Sequence, residues 1–200
     1  MGQVVRPENE KSNPSKMSVD KNAINSRQLI KGCIANDRRS QEALYKHYYG
    51  AMMALCNRYI KNREDMVEVL HSGFLKIFQN IGSFDETKSA LFTWMHTIMV
   101  RTAIDFLRKK NALTPEVELT AAMEPEVQAK VLVDTSAEEI LRFLKQLPQT
   151  TAMVFNLYVI EGHNHKEIGK LLNISDGTSK WHLSEAKSQL AKLIKAKAIA

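Results

Sequence analysis

Apolar residues recur three and four positions apart along two stretches of the chain, which predicts amphipathic helices and no strand. Leu29, Ile30, Cys33 and Ile34 form a short stripe, continued by Ala43, Leu44, Tyr48, Ala51, Met52, Leu55, Cys56 and Tyr59. Asn62 is placed to cap a further helix, with Glu64 and Asp65 in its first turn and Val67, Leu70, Phe74, Ile77 and Ile81 on one face. That helix stops near Gly82. A fourth runs from about Leu91 to Lys110 on Leu91, Trp94, Met95, Ile98, Ala103 and Leu107. Helices resume with Ile140, Leu141, Phe143, Leu144 and Leu147, break at Pro148, and continue through Ala152, Val154, Phe155, Leu157 and Tyr158 to Gly162. A helix at His165–Leu172, a short turn, and a long basic helix from about Ser175 to Ile194 close the pattern.

Between the two helical stretches, residues 111–137 hold Pro115, Pro125 and five acidic residues, and read as a linker with a helical turn or two around Val127–Val133. Residues 1–25 carry Pro7, Pro14 and several Asn and Ser without periodicity, and read as a disordered arm. The expected organisation is all-α: an arm at 1–25, a module at 26–110, an acidic linker at 111–137 and a second module at 138–200.

The sharpest local signal lies at 164–190. Gly169 supplies the small residue needed where one helix crosses the next, and Asn173, four residues on, tolerates left-handed backbone. Ser175 is positioned to cap the second helix, whose free N–H groups then face a phosphate. Ile168, Leu172, Ile174, Leu183 and Leu190 close a small core, and Lys180, Trp181, His182, Ser184 and Lys187 point outward. This is the pattern of a helix-turn-helix that reads DNA.

Charge supports that direction. Lys and Arg number 28 against 22 Asp and Glu, giving +6 and favouring a polyanionic partner. Residues 26–110 carry 14 basic and 8 acidic groups, residues 111–137 carry 1 and 5, and residues 138–200 carry 9 and 6, so two basic modules flank an acidic spacer. Two cysteines, Cys33 and Cys56, form no disulfide framework and read as buried bystanders. His163 and His165 lack a third ligand, and no Gly-rich phosphate loop, nucleophile elbow or catalytic acid pair occurs, so no metal, cofactor or enzymatic activity is expected. The longest apolar runs, such as Ala51–Cys56, fall far short of the roughly 18 residues of a membrane span. With no leader pattern, a cytoplasmic chain without membrane insertion is expected.

Taken together the chain resembles a bacterial sigma factor of the sigma-70 family, in its two-domain extracytoplasmic-function (ECF) group. In the first module the resemblance rests on Leu44-Tyr45-x-x-Tyr48, Phe74-Leu75-Lys76-Ile77-Phe78, Phe84-Asp85, Phe92-x-Trp94-Met95 and Ala103-Ile104-Asp105-Phe106-Leu107-Arg108. In the second it rests on Leu147-Pro148, Val154-Phe155-x-Leu157-Tyr158, Glu161-Gly162, Glu167-Ile168 and Gly177-Thr178. It implies a protein that binds bacterial core RNA polymerase and promoter DNA, the first domain melting the −10 element and the second reading the −35 element as duplex. It also implies an anti-sigma partner that masks the polymerase-binding faces.

Carried over residue by residue, Glu68, Val69, His71, Ser72, Phe74, Leu75 and Phe78 face the polymerase. Trp94, Thr97, Arg101, Thr102, Arg108 and Lys109 lie along the melted −10 strand. Ser175, Thr178, Lys180, Trp181, Ser184, Glu185 and Lys187 meet the −35 duplex. Phe84, Phe92 and Trp94 are either plain core or stacking surfaces beside Arg101, Arg108 and Lys109. The string Val67-Glu68-Val69-Leu70-His71-Ser72-Gly73 departs from the acidic, glutamine-containing string common in the family. Arg101 stands where many members carry Asn, Ser179 where Val is common and Glu185 where Arg is common, which leaves the DNA sequence read by each domain open. The alternative is a stand-alone helix-turn-helix transcriptional regulator, with residues 26–110 as a dimerisation or sensing domain.

Overall fold

Helix α1, Ser26–Ile34, turns sharply into α2, Arg38–Tyr59, through Asn36, whose φ of 56° is left-handed. This computed structural model describes residues 26–113 and 136–199. The arm at 1–25, most of the linker and the turns expected around Val127–Val133 lie outside the described residues. Asp37 caps α2, its Oδ2 accepting the Ser40 N–H at 2.9 Å. Asn62 caps α3, Arg63–Asn80, as its position predicts: Oδ1 accepts the N–H groups of Glu64 and Asp65 at 2.7 and 3.1 Å. A 3₁₀ turn at Ile81–Ser83 ends that helix, and α4 spans Leu91–Leu113, three residues beyond the expected stop at Lys110.

The stripes on α2, α3 and α4 meet in a core that includes Leu44, Met52, Leu55, Leu70, Ile77, Met95, Met99 and Ile104. Gly73 leaves room there for Met99, since a Cβ on it would lie 2.3 Å from the methionine Sδ and the thioether end would have to shift. The helices close up around that methionine as a result. Cys33 and Cys56 are both buried, and burial pushes the Cys56 thiol up to about 12. Ile34 departs from its stripe: as the last residue of α1 it lies exposed.

The second unit begins with α5, Ala137–Leu144, and α6, Gln149–Phe155. It continues through α7, His165–Leu172, into α8, Asp176–Ile199. Ser136 and Glu139 form a reciprocal capping box on α5, and Asn164 and Glu167 form one on α7. Between α6 and α7 a single π turn, Asn156–Ile160, changes the expected register. Its closing bond runs from the Glu161 N–H to the Asn156 carbonyl at 3.0 Å, five residues back. The extra residue swings Tyr158, Val159 and Ile160 outward, so Tyr158 leaves the buried stripe and stacks on His165 with ring centroids 4.6 Å apart.

Every regular element among the described residues is helical, and the fold is all-α in two units. No described helix is long and apolar enough to cross a membrane. The buried apolar residues of both units belong to one continuous cluster, so the two domains touch.

Candidate nucleic-acid and polymerase interfaces

The helix-turn-helix is built as its sequence demands. Asn173 ends α7 at φ 58° and ψ 47°, in the left-handed region, and its N–H closes back on the Gly169 carbonyl. A Cβ on Gly169 would lie 2.8 Å from the Ile174 carbonyl oxygen, so only glycine admits this approach of turn to helix. Ser175 Oγ accepts the Thr178 N–H at 3.0 Å, capping α8 and turning its remaining N–H groups outward. Thr178, Lys180 and Ser184 are exposed, while Trp181, Glu185 and Lys187 are half-buried on the same helix. Glu185 is already engaged, since its Oε1 accepts from Gln189 Nε2 one turn on.

Two neighbouring residues belong inside instead. Ser179 is fully buried, its Oγ 2.9 Å from His165 Nδ1, so it packs the domain and meets no base. His182, expected to point outward, turns its Nδ1 to Thr151 Oγ1 at 3.0 Å.

On α4, Trp94, Thr97, Arg101 and Arg108 are spaced by three, four and seven residues and share one side of the helix, with Lys109 exposed beside them. Trp94 packs edge-on against Phe84, centroids 5.6 Å apart, at the mouth of an open hollow of about 340 Å³. Lys76, Asn80, Ser83, Ile98, Arg101 and Asp105 line the rest of it. This combination of an aromatic edge, a guanidinium and amide and hydroxyl groups suits an unstacked base beside its phosphate.

Two expected members need correction. Thr102 is 4% exposed, with its hydroxyl donated to the Ile98 carbonyl at 2.8 Å, because it lies on the inner side of α4. It floors the hollow rather than presenting a surface contact. Phe92 is exposed but lies on the other side of the helix, near Tyr48 at 6.3 Å and His96 at 5.9 Å, away from Trp94.

On α3, Glu68, His71, Ser72 and Leu75 form an exposed stripe at three- and four-residue spacing. Leu75, an apolar side chain at its C-terminal end, is 58% exposed. Phe78 is half-buried against Phe74, centroids 6.2 Å apart. Val69 and Phe74 are 1% and 2% exposed, so they hold the helix onto the core and do not face a partner. The stripe extends onto α2 through Tyr45, 4.5 Å from Phe74, and Tyr49, 5.5 Å from Tyr45. Tyr49 gave no signal in the sequence, because its exposure follows only from how α2 leans on α3.

An all-α chain with a helix-turn-helix in one unit and a cationic, aromatic-edged hollow in the other is a DNA-handling transcription protein. Comparison with known proteins narrows this. Residues 44–112 match the family model for sigma-70 region 2, and residues 137–190 that for sigma-70 region 4. The chain is 25% identical over 170 residues to the ECF RNA polymerase sigma factor SigM of Mycobacterium tuberculosis, covering 84% of this chain and 83% of that protein. It is 24% identical over 174 residues to the ECF RNA polymerase sigma-E factor of Haemophilus influenzae, covering 81% and 91%. Among solved structures it is similar to CnrH in complex with the cytosolic domain of CnrY, at 17% identity and TM-score 0.46, over 85% of this chain and 97% of that one. It is also similar to RpoE in complex with the anti-sigma factor NepR from Bartonella quintana, at 16% identity and TM-score 0.47, over 77% and 96%. The chain belongs to the sigma-70 family, in its ECF group: it is a promoter-directing RNA polymerase sigma factor and not an enzyme.

Proposed function

We propose that three faces divide the work of initiation. The α3 stripe that ends in Leu75 docks on core polymerase. The Trp94–Arg101 face of α4 captures the melted −10 strand, and the outer side of α8 reads the −35 duplex in its major groove. The observation that carries this reading is the turn at Gly169, Asn173 and Ser175. It sets α8 across α7 and leaves Lys180 and Ser184 free at the end of the helix that enters a groove. Such work belongs in the cytoplasm with the polymerase. The family resemblance further supports an anti-sigma partner of the kind that holds RpoE in the Bartonella complex.

Run-off transcription with bacterial core enzyme on a promoter library tests this. Transcripts from discrete starts that depend on the protein are expected, with both elements recoverable upstream of each start. No transcripts, together with binding to palindromic DNA in the absence of core, would replace this reading with the stand-alone regulator.

A further inference from the structure

One carboxylate gathers three of the polar contacts that fasten the two DNA-handling domains to each other. Glu161, in the turn before α7, is 11% exposed. Its Oε1 lies 3.3 Å from Arg58 Nη2 and accepts from the Tyr59 hydroxyl at 3.3 Å. Its Oε2 lies 3.4 Å from His96 Nε2. Arg58 and Tyr59 end α2 and His96 is on α4, so all three partners belong to the other domain. Around them, Asn156 Nδ2 donates to the Arg58 carbonyl at 2.9 Å and Lys61 Nζ to the Leu147 carbonyl at 2.8 Å. Lys145 Nζ donates to Asn57 Oδ1 at 2.7 Å.

This contact has the character of one made to open. Beside the apolar contact that joins the two cores, its bonds are polar and charged, as in interfaces between domains that move. It leaves Asn156 Oδ1 buried with no hydrogen-bond partner among the described residues.

The closed arrangement also conflicts with the proposed work. Elements centred near −10 and −35 lie about 25 base pairs apart, roughly 85 Å along B-form DNA. A compact fold of about 150 residues has a radius of gyration near 15 Å, so one closed body cannot reach both. The 22 residues between Leu113 and Ser136 span up to about 75 Å when extended, long enough to let the domains part.

We propose that the closed chain is an autoinhibited state latched by Glu161, and that polymerase docking occurs on the open chain. The inhibitory part rests on the sigma reading; the latch itself does not. A chain that must open before it binds shows an apparent affinity reduced by the open fraction. Removing the latch therefore raises affinity for core enzyme.

The test uses the full chain, with circular dichroism to verify folding. Small-angle scattering of the free protein is expected to give a compact particle that expands by several ångströms in Glu161→Lys and in Arg58→Glu. The double reversal Arg58→Glu/Glu161→Arg is expected to close it again. Core polymerase affinity is expected to rise, by up to about tenfold if a tenth of the wild-type chain is open. Should Glu161→Lys misfold, Arg58→Glu reports on the same contact from the other domain. An extended wild-type particle, or single reversals that leave the dimensions unchanged, overturns the latch. Expansion without any gain in core affinity overturns the inhibitory role and leaves the latch standing, and absence of core binding in every variant counts against the sigma reading instead.

Discussion

Gly169 and Ile174 meet across the helix-turn-helix, with 2.8 Å between the place of a Cβ on the glycine and the isoleucine carbonyl oxygen. The obstacle is backbone, so it cannot rotate away as a side chain would. Gly169→Ala gains up to about 1 kcal/mol in helix propensity but forces α7 and the turn apart, an overpacking cost of about 1–3 kcal/mol. Net destabilisation of the second domain is expected by urea unfolding, and with it loss of transcription from promoters that depend on a −35 element. A Gly169→Ala variant as stable as wild type would mean that the turn relaxes freely.

Lys180 is exposed in the first turns of α8, where its ammonium is free to reach a base edge. Lys180→Ala is expected to weaken discrimination between −35 sequences by about 1–3 kcal/mol, the range for a good base contact. Binding assays on single-base promoter variants check this. A uniform loss on every sequence, with a shallower salt dependence, would assign Lys180 to a phosphate.

Most of the fold was legible because it is local. The caps at Asn62 and Ser175, the left-handed residue at Asn173 and the glycine at 169 each act within five residues, and periodicity found the helices that follow from them. What escaped was set elsewhere. Val69, Phe74 and Thr102 fall in stretches that resemble contact strings, but the packing of α3 and α4 turns their side chains inward. Phe92 and Trp94 are two residues apart and so diverge on a helix, which separates them despite their shared motif. The π turn hides in an ordinary apolar run. The latch was not readable at all: Tyr59 and Glu161 are 102 residues apart, and a single sequence carries no signal of which distant charges pair.

The contrast between Leu75 and Phe74 separates docking from folding on adjacent residues. Leu75 is 58% exposed, so Leu75→Asp is expected to leave the melting curve within about 0.5 kcal/mol of wild type, as for most surface changes. Co-purification with core polymerase is expected to be lost. Phe74 is buried, and Phe74→Ala is expected to cost about 3–5 kcal/mol. Retained co-purification of a folded Leu75→Asp variant would move the polymerase interface off α3.

Acid is expected to loosen the closed chain through His96. Its ring is half-buried between Glu161 and Arg58, the charged groups that face it. Burial holds its pKa below the ordinary value of 6.5; the Glu161 carboxylate pulls the other way and the Arg58 guanidinium adds to the lowering. The open chain, with His96 in water, therefore binds the proton more readily than the closed one. The contribution to closure is fully present above pH 6.5 and is lost as pH falls from there through the lowered value. Scattering at pH 7.5 and 5.5 is expected to show expansion at the lower pH. His96→Phe keeps an aromatic ring of similar reach without the titrating nitrogens and is expected to abolish that difference. Equal expansion of wild type and His96→Phe on acidification would place the pH dependence on another group.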